Sequence, residues 1–355
     1  MATTVKTRQA YRRTDDYTPG TPKSRKNLPA ELEPTAVLIK IHAVALNYRD
    51  ANIANGGNPW PVTKNGVPGN DAAGEVIAVG DKVSLVKIGD RVAPITDAEF
   101  ATTRSTAANE DGTLATHFVF NERLVTKLPD HLSWAMSSIT PCAGTTAWSA
   151  LKAHLSVKLF SSKIFVVDSC CLPSVEGTGG VSTFALKLAR ASGLKVILNS
   201  SSEEKLSTIK AQLGKPDILT VNYKTNPDWQ NEVLRLTNGV GVDLVVENGG
   251  SSSLVQSMQC TRRGGTVSQV GNLGGPKAEE LKEFVSTIID RRLSVRGINA
   301  GSKDDQDELM AAISATQMTF DDIIDSVWSF DKAEEAIEYV WQGKQVGKVV
   351  IEIKE

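Results

Sequence analysis

The sequence predicts an α/β protein in which a doubly wound parallel sheet is joined to a second, β-rich domain. Three observations carry this. The chain has 355 residues, beyond the size at which one hydrophobic core keeps growing, so two domains are expected. Up to about residue 135, short strand patterns alternate with Gly, Pro and Asn punctuation. From residue 151 onward, strand and helix patterns alternate around a glycine-rich turn at Gly177 to Gly180.

The composition bounds the partners. Hydrophobic residues make up 41% and charged residues 23%, an ordinary globular balance that leaves ample core. A formal net charge of -2 favours neither nucleic acid nor an anionic membrane surface, so a small molecule is the expected partner. Lys6, Arg8, Arg12 and Arg13 are followed at once by Asp15 and Asp16, with no apolar signal core. The longest apolar runs fall far short of the about 20 residues that span a bilayer, and a cytoplasmic location is expected. Cys142, Cys170, Cys171 and Cys260 lack ligand or redox spacing, which fits reduced thiols.

The strand patterns in the first part run Ala36 to Asn47, Gly74 to Val79, Arg91 to Ile95 and His117 to Phe120. Near Ser133 the spacing turns helical, through Trp134, Met136, Ile139, Ala147, Trp148 and Leu151. A strand at Ile164 to Val167 precedes the glycine-rich turn. A helix then places Val181, Phe184, Ala185 and Leu188 on one face, and Gly193 stops it. Strands follow at Lys195 to Leu198, Ile218 to Val221, Val242 to Glu247, Thr266 to Gly271 and Ser294 to Asn299. In Val242 to Val246 only Asp243 interrupts the apolar run, as in a strand buried on both faces. Helices at Asp305 to Ala315 and Lys332 to Trp341 and a strand at Lys348 to Ile353 close the chain. The expected domains are residues 1–150, completed by 303–355, and residues 151–302.

Gly177-Thr178-Gly179-Gly180-Val181 lies between a strand and a helix, where small residues let a pyrophosphate approach backbone N–H groups and the helix N-terminus favours its charge. Ser182 stands at the third glycine position of that motif. Twenty residues past Gly179, where a carboxylate would hold a ribose 2′-hydroxyl, the sequence reads Asn199-Ser200-Ser201-Ser202. Hydroxyls followed by Lys205 suit a 2′-phosphate, so NADPH is the expected cofactor. The same serines also suit a helix cap before Glu203, and both roles are compatible. Between Val167 and Gly177, Asp168 to Glu176 adds about eight residues to a tight turn. Either Ile164 to Val167 is the first strand and a loop intrudes, or the strand lies near Leu172 to Val175 and is broken by Pro173. The first is preferred, and the loop is placed to obstruct the pyrophosphate site.

Eight pieces occur in order: Ala45-Leu-Asn-Tyr-Arg-Asp50, Pro68-Gly-Asn-Asp-Ala-Ala-Gly-Glu-Val76, Gly89-Asp-Arg-Val92, Cys142-Ala-Gly-Thr-Thr-Ala-Trp148, Gly177-Thr-Gly-Gly180, Val221-Asn-Tyr-Lys224, Gly239-Val-Gly-Val-Asp243 and Gly347-Lys-Val-Val350. Together they resemble the medium-chain dehydrogenase/reductase superfamily, especially its zinc-independent, quinone-reductase-like and fungal alcohol-dehydrogenase-like members, over nearly the whole chain. The resemblance implies a GroES-like β-rich catalytic domain and a Rossmann domain. Zinc members hold their catalytic metal with Cys, His and Cys beside a Glu. Here Asn47, Asn70, Asp71 and Cys142 stand at the first Cys, the His, the Glu and the remaining Cys. One soft ligand does not make a site that needs three, and no Cys occurs before Cys142 to build the structural zinc lobe.

The resemblance places Asn47 and Tyr48 near the nicotinamide, with Tyr48 the candidate proton donor. Thr146 resembles a residue packing beside that ring and Asn272 one lining the same pocket, while Lys205 and Tyr223 match positions touching the 2′-phosphate. The expected cofactor-binding residues are thus Thr146, Gly177, Gly179, Gly180, Val181, Ser200, Ser201, Lys205, Tyr223 and Asn272. Arg49 stands where zinc enzymes relay protons, and Asp50 at a structural position. Lys348 reads as a surface lysine, with an approach to the cofactor as the alternative. His42, His117, His131 and His154 show no ligand spacing.

Without a Lewis acid, conjugated acceptors are easier to reduce than simple ketones, because their developing charge is delocalised. NADPH-dependent reduction of an enone or quinone is therefore the leading expectation. Alcohol/aldehyde interconversion and a catalytically silent cofactor-binding protein are the alternatives. Pairing of the Ser294 to Asn299 strand across a two-fold axis would give a homodimer.

Overall fold

A computed structural model describes residues 5–14, 23–57, 61–95, 111–155, 164–168, 180–213, 218–273 and 278–354. In chain order the strands are β1 (Thr7–Tyr11), β2 (Lys23–Asn27), β3 (Ala36–Leu46), β4 (Asp71–Val79), β5 (Arg91–Pro94), β6 (His117–Asn121), β7 (Val125–Lys127), β8 (Ile164–Asp168), β9 (Lys195–Ser200), β10 (Leu219–Asn222), β11 (Val242–Glu247), β12 (Thr261–Gln269), β13 (Ser294–Gly297), β14 (Ile324–Ser329) and β15 (Lys348–Glu352). The α-helices are α1 (Tyr48–Ala54), α2 (Trp134–Ser138), α3 (Thr145–Leu155), α4 (Gly180–Ala191), α5 (Glu203–Leu213), α6 (Trp229–Leu236), α7 (Leu254–Cys260), α8 (Phe284–Arg291), α9 (Lys303–Thr316) and α10 (Ala333–Trp341). No described helix is long and apolar enough to cross a membrane.

The chain divides into two compact units, residues 1–145 with 301–355, and residues 146–300. In the first, a seven-stranded sheet runs β14-β15-β3-β4-β5-β7, with β6 paired to β3 off this path. Its long central strand β3 alternates Val37, Ile39 and Ile41 into a core completed by Val76, Val92, Leu114, Phe330, Ile337 and Ile351. Local signals set the helix starts. Ser133 Oγ accepts the Met136 amide at α2, and Ser302 and Asp305 exchange reciprocal bonds at α9. The β1–β2 hairpin went unrecognised from the sequence, because its polar strands carry little hydrophobic alternation.

In the second unit the sheet order is β10-β9-β8-β11-β12-β13, all parallel. Renumbered within the unit this is 3-2-1-4-5-6, the doubly wound order whose ligand crevice lies at the carboxyl ends of the strands. The first strand is Ile164–Asp168, paired to β9 and β11, in agreement with the preferred of the two readings. The intervening residues 169–179, with Cys170, Cys171, Gly177 and Gly179, lie outside the described residues. Strand β11 is buried at every position, as its apolar run requires. The expected strand from Thr266 begins five residues earlier, at Thr261; the polar, partly exposed Arg262, Arg263 and Gly264 hid its start.

Candidate active site

Three adjacent strands of the first unit bring a buried polar cluster together. Strand β15 pairs with β3 through Val349 and Leu46, and β3 pairs with β4 through Ala45 and Asp71. The antiparallel register therefore sets Lys348, Asn47 and Asp71 at one edge of the sheet, although they are far apart in sequence. Lys348 Nζ donates to Asn47 Oδ1 at 2.7 Å and to Asp71 Oδ2 at 3.3 Å. Asn47 Nδ2 donates to Asn70 Oδ1 at 3.1 Å and to Asp71 Oδ2 at 3.0 Å. A π-helical turn at Thr140–Gly144 lets the Cys142 amide donate to Asp71 Oδ1 at 2.8 Å. This corrects the reading of Lys348 as a surface lysine: it is 3% exposed, because β15 is an interior strand of the sheet.

Charge and burial oppose each other in this cluster. Burial pushes the Asp71 carboxyl up and the Lys348 ammonium pulls it back. The Cys142 thiol is pushed up to about 12 by burial and by the Asp71 carboxylate. The residue as a whole is half-buried. The expected donor Asn47 has both amide protons occupied by Asn70 and Asp71. Tyr48, the first residue of α1, is half-buried and stacks on Trp341 with ring centres 6.2 Å apart. Burial raises its phenol, which therefore holds its proton.

Asp50 anchors α1 beneath the cluster. Its carboxylate accepts the amides of Asn47 at 2.8 Å and Gly69 at 3.2 Å, yet burial, first of all, lifts its pKa from 3.8 to about 6. A raised acid contributes stability that is complete below its unfolded pKa and is lost as pH rises through its folded pKa. The displacement from 3.8 to about 6 amounts to about 3 kcal/mol. Relative to Asp50→Asn, the wild type is expected to lose about that much stability between roughly pH 3 and pH 7, about two-thirds of it between pH 4 and pH 6, as followed by urea denaturation. A difference between the two proteins that does not vary with pH contradicts this role.

In the second unit, two of the expected cofactor residues, Ser200 and Tyr223, lie at the carboxyl ends of β9 and β10, while Gly177 and Gly179 lie outside the described residues. Ser200 ends β9, and its carbonyl accepts the Tyr223 amide at 3.2 Å, which joins the ends of β9 and β10. Ser200 and Ser201 are buried and Lys205 is half-buried. Ser202 Oγ accepts the Lys205 amide at 3.3 Å, so the serine run does cap α5. Gly180 and Val181 form the first turn of α4. Thr146 is buried near the start of α3, and Asn272 is exposed in the loop after β12. Sequence reasoning missed Glu247. At the end of β11 its buried carboxylate accepts the amides of Gly249 at 2.6 Å and Gly250 at 3.1 Å and the hydroxyls of Ser253 and Ser257. It thereby fixes the loop at the same sheet edge. Its signal was a carboxylate closing an apolar strand run.

Elsewhere, two histidines make packing and polar contacts. His42 stacks on Trp134 at 4.3 Å, and His131 Nε2 lies 3.0 Å from the Met318 carbonyl oxygen. Among the described residues, no group of three or more His, Cys, Asp or Glu could hold a metal ion.

A β-rich unit completed by the C-terminal segment, together with a six-stranded doubly wound sheet, defines a two-unit dinucleotide-type α/β protein. Residues 33–130 match the family of the alcohol dehydrogenase GroES-like domain, and residues 180–343 match that of the zinc-binding dehydrogenase. The chain is 36% identical over 335 residues to a zinc-type alcohol dehydrogenase-like protein of Schizosaccharomyces pombe, covering 92% of this chain and 93% of that one. It is 30% identical over 248 residues to a quinone oxidoreductase of Pseudomonas aeruginosa, covering 70% and 68%. A solved structure named for an alcohol dehydrogenase of Sinorhizobium meliloti superposes with a TM-score of 0.85 at 28% identity, covering 99% of this chain and all of that one. The chain belongs to the medium-chain dehydrogenase/reductase superfamily and is an oxidoreductase of that superfamily.

Proposed function

We propose that this oxidoreductase uses NADPH, without a metal, to reduce an activated C=C bond or a quinone. The observation that carries the reading is the Lys348 ammonium, hydrogen-bonded to both Asn47 and Asp71 among the four positions that correspond to metal ligands in zinc relatives. A divalent cation there would face the Lys348 ammonium, two neutral amides, one thiol, and an Asp71 carboxylate that this ammonium and Asn47 already engage. That donor set does not fit the zinc ion the family description implies. Absence of a carboxylate at the end of β9, with Ser200, Ser201, Lys205 and Tyr223 grouped there, supports NADPH over NADH.

NADPH, when bound, supplies hydride to the acceptor's conjugated carbon. The electron pair displaced from the double bond moves onto the acceptor oxygen, giving an enolate or phenolate that neutral hydrogen-bond donors can support. Tyr48 Oη, which makes no hydrogen bond to another described residue, then gives its proton to the product and recovers one from solvent. Asn47 serves here by orienting its neighbours, since its own protons are engaged.

The deciding experiment follows cofactor absorbance against quinones, enones, aldehydes and alcohols. NADPH loss with quinones or enones is expected, and cofactor reduction by alcohols alone overturns the reading. In the same assay Tyr48→Phe is expected to lower kcat on the order of 10²-fold with KM for NADPH little changed. An unchanged kcat removes Tyr48 from the chemistry. β13, an edge of the second unit's sheet, is where we place the contact of a homodimer, to be checked by sedimentation.

A further inference from the structure

Asn70 is 1% exposed, and its Nδ2 meets no hydrogen-bond acceptor. A buried donor left without a partner is costly, and in a native structure it asks for an explanation. The amide's orientation is not open to exchange. Lys348 Nζ can only donate, so the atom 2.7 Å from it must be the Asn47 oxygen. Asn47 Nδ2 therefore points to Asn70 and Asp71. The Asn70 atom facing it must then be the oxygen, because two N–H groups would repel. The ammonium thus fixes one amide, that amide fixes the next, and the second is left with an unused N–H. Each link also polarises its successor in a low-dielectric setting.

We propose that Lys348, Asn47 and Asn70 form a fixed hydrogen-bond relay that presents Asn70 Nδ2 to the oxygen of the acceptor being reduced. This rests on the metal-free reading above and names the group that supports the developing oxyanion. Asn70 keeps its proton throughout and donates only a hydrogen bond. The electron pair arriving on oxygen comes from the acceptor's own double bond, and the proton comes from Tyr48. Lys348 is a positioning residue acting through Asn47, and Asp71 balances its charge.

Four variants test the relay, each with its melting temperature recorded. Asn70→Asp and Lys348→Met are expected to lower kcat with a quinone on the order of 10²-fold, with KM for NADPH within about twofold. Lys348→Arg, which keeps the charge, is expected to recover kcat to within roughly tenfold of wild type. Lys348→Met alone leaves the buried Asp71 carboxylate without its ammonium counter-charge, so its melting temperature is expected to fall by roughly 5 °C or more. The double variant Asp71→Asn/Lys348→Met removes both charges and is expected to regain that temperature while remaining slow. Binding of 4-nitrophenolate to the NADP⁺-loaded protein, read by its absorbance, is expected to weaken roughly tenfold or more in Asn70→Asp.

Near-normal kcat in Asn70→Asp, unchanged phenolate binding, or recovery of kcat together with stability in the double variant overturns the relay. A wild type that reduces none of the quinones and enones tested removes the substrate reading instead, and the phenolate measurement still decides the relay.

Discussion

Gly347→Ala is expected to cost the first unit on the order of 4 kcal/mol or more of stability, enough to remove most soluble protein. Two independent causes add. Gly347 has φ +116, a region closed to residues with a side chain, and an added Cβ would fall on the backbone carbonyl oxygen of Ile323. That oxygen is a backbone atom of the short helical turn before β14, so it can withdraw only if the chain there moves. Gly347 is also the residue before Lys348, so relief of the clash by backbone rotation would turn the ammonium out of its contacts with Asn47 and Asp71. Any folded fraction should therefore show the slow turnover of Lys348→Met. The check is urea denaturation with far-ultraviolet dichroism, and a variant within about 1 kcal/mol of wild type is the outcome that contradicts the argument.

How far the sequence reached can be judged from residues such as these. Strand β11 was legible because burial on both faces demands an uninterrupted apolar run, and Val242 to Val246 supplies it but for Asp243. That Asn47 and Asn70 differ from the Cys and His of zinc relatives was legible because ligand chemistry is a property of residue type. The buried cluster around them was not. The partners of Lys348 follow from the register of β15 on β3 and of β3 on β4, which joins positions separated by 301 and 277 residues. A lysine in a short strand near the C-terminus gives no local sign of burial. Asn47 shows the same limit: its residue type marks the amide as a donor, and only the surrounding cluster shows that its protons go to Asn70 and Asp71. Asp50 and Glu247 share this pattern. Both are carboxylates at element ends whose burial is set by tertiary packing, and both are held by backbone amides that no side-chain spacing announces.

The second unit makes its own demand on cofactor choice, and a single carboxylate is expected to reverse it. Ser200 closes β9 at the carboxyl edge of the sheet and is 1% exposed; its carbonyl holds the Tyr223 amide from the neighbouring strand. In a doubly wound sheet this is where an acidic side chain accepts hydrogen bonds from an adenosine ribose, and where a 2′-phosphate needs donors and positive charge instead. On the proposed preference for NADPH, Ser200→Asp sets an anion against that phosphate and offers an acceptor to the hydroxyl of NADH. The ratio of kcat/KM for NADPH to that for NADH is expected to fall on the order of 10³-fold. The change should come mainly from lost NADPH affinity, since charge repulsion acts at the phosphate and not at the reacting ring. Because the position is buried, the melting temperature must be followed alongside, and Ser200→Ala serves as the uncharged reference. A wild type that already favours NADH, or a ratio that Ser200→Asp leaves unmoved, would mean that the hydroxyls at the end of β9 only cap α5 and that the cofactor's ribose is recognised elsewhere.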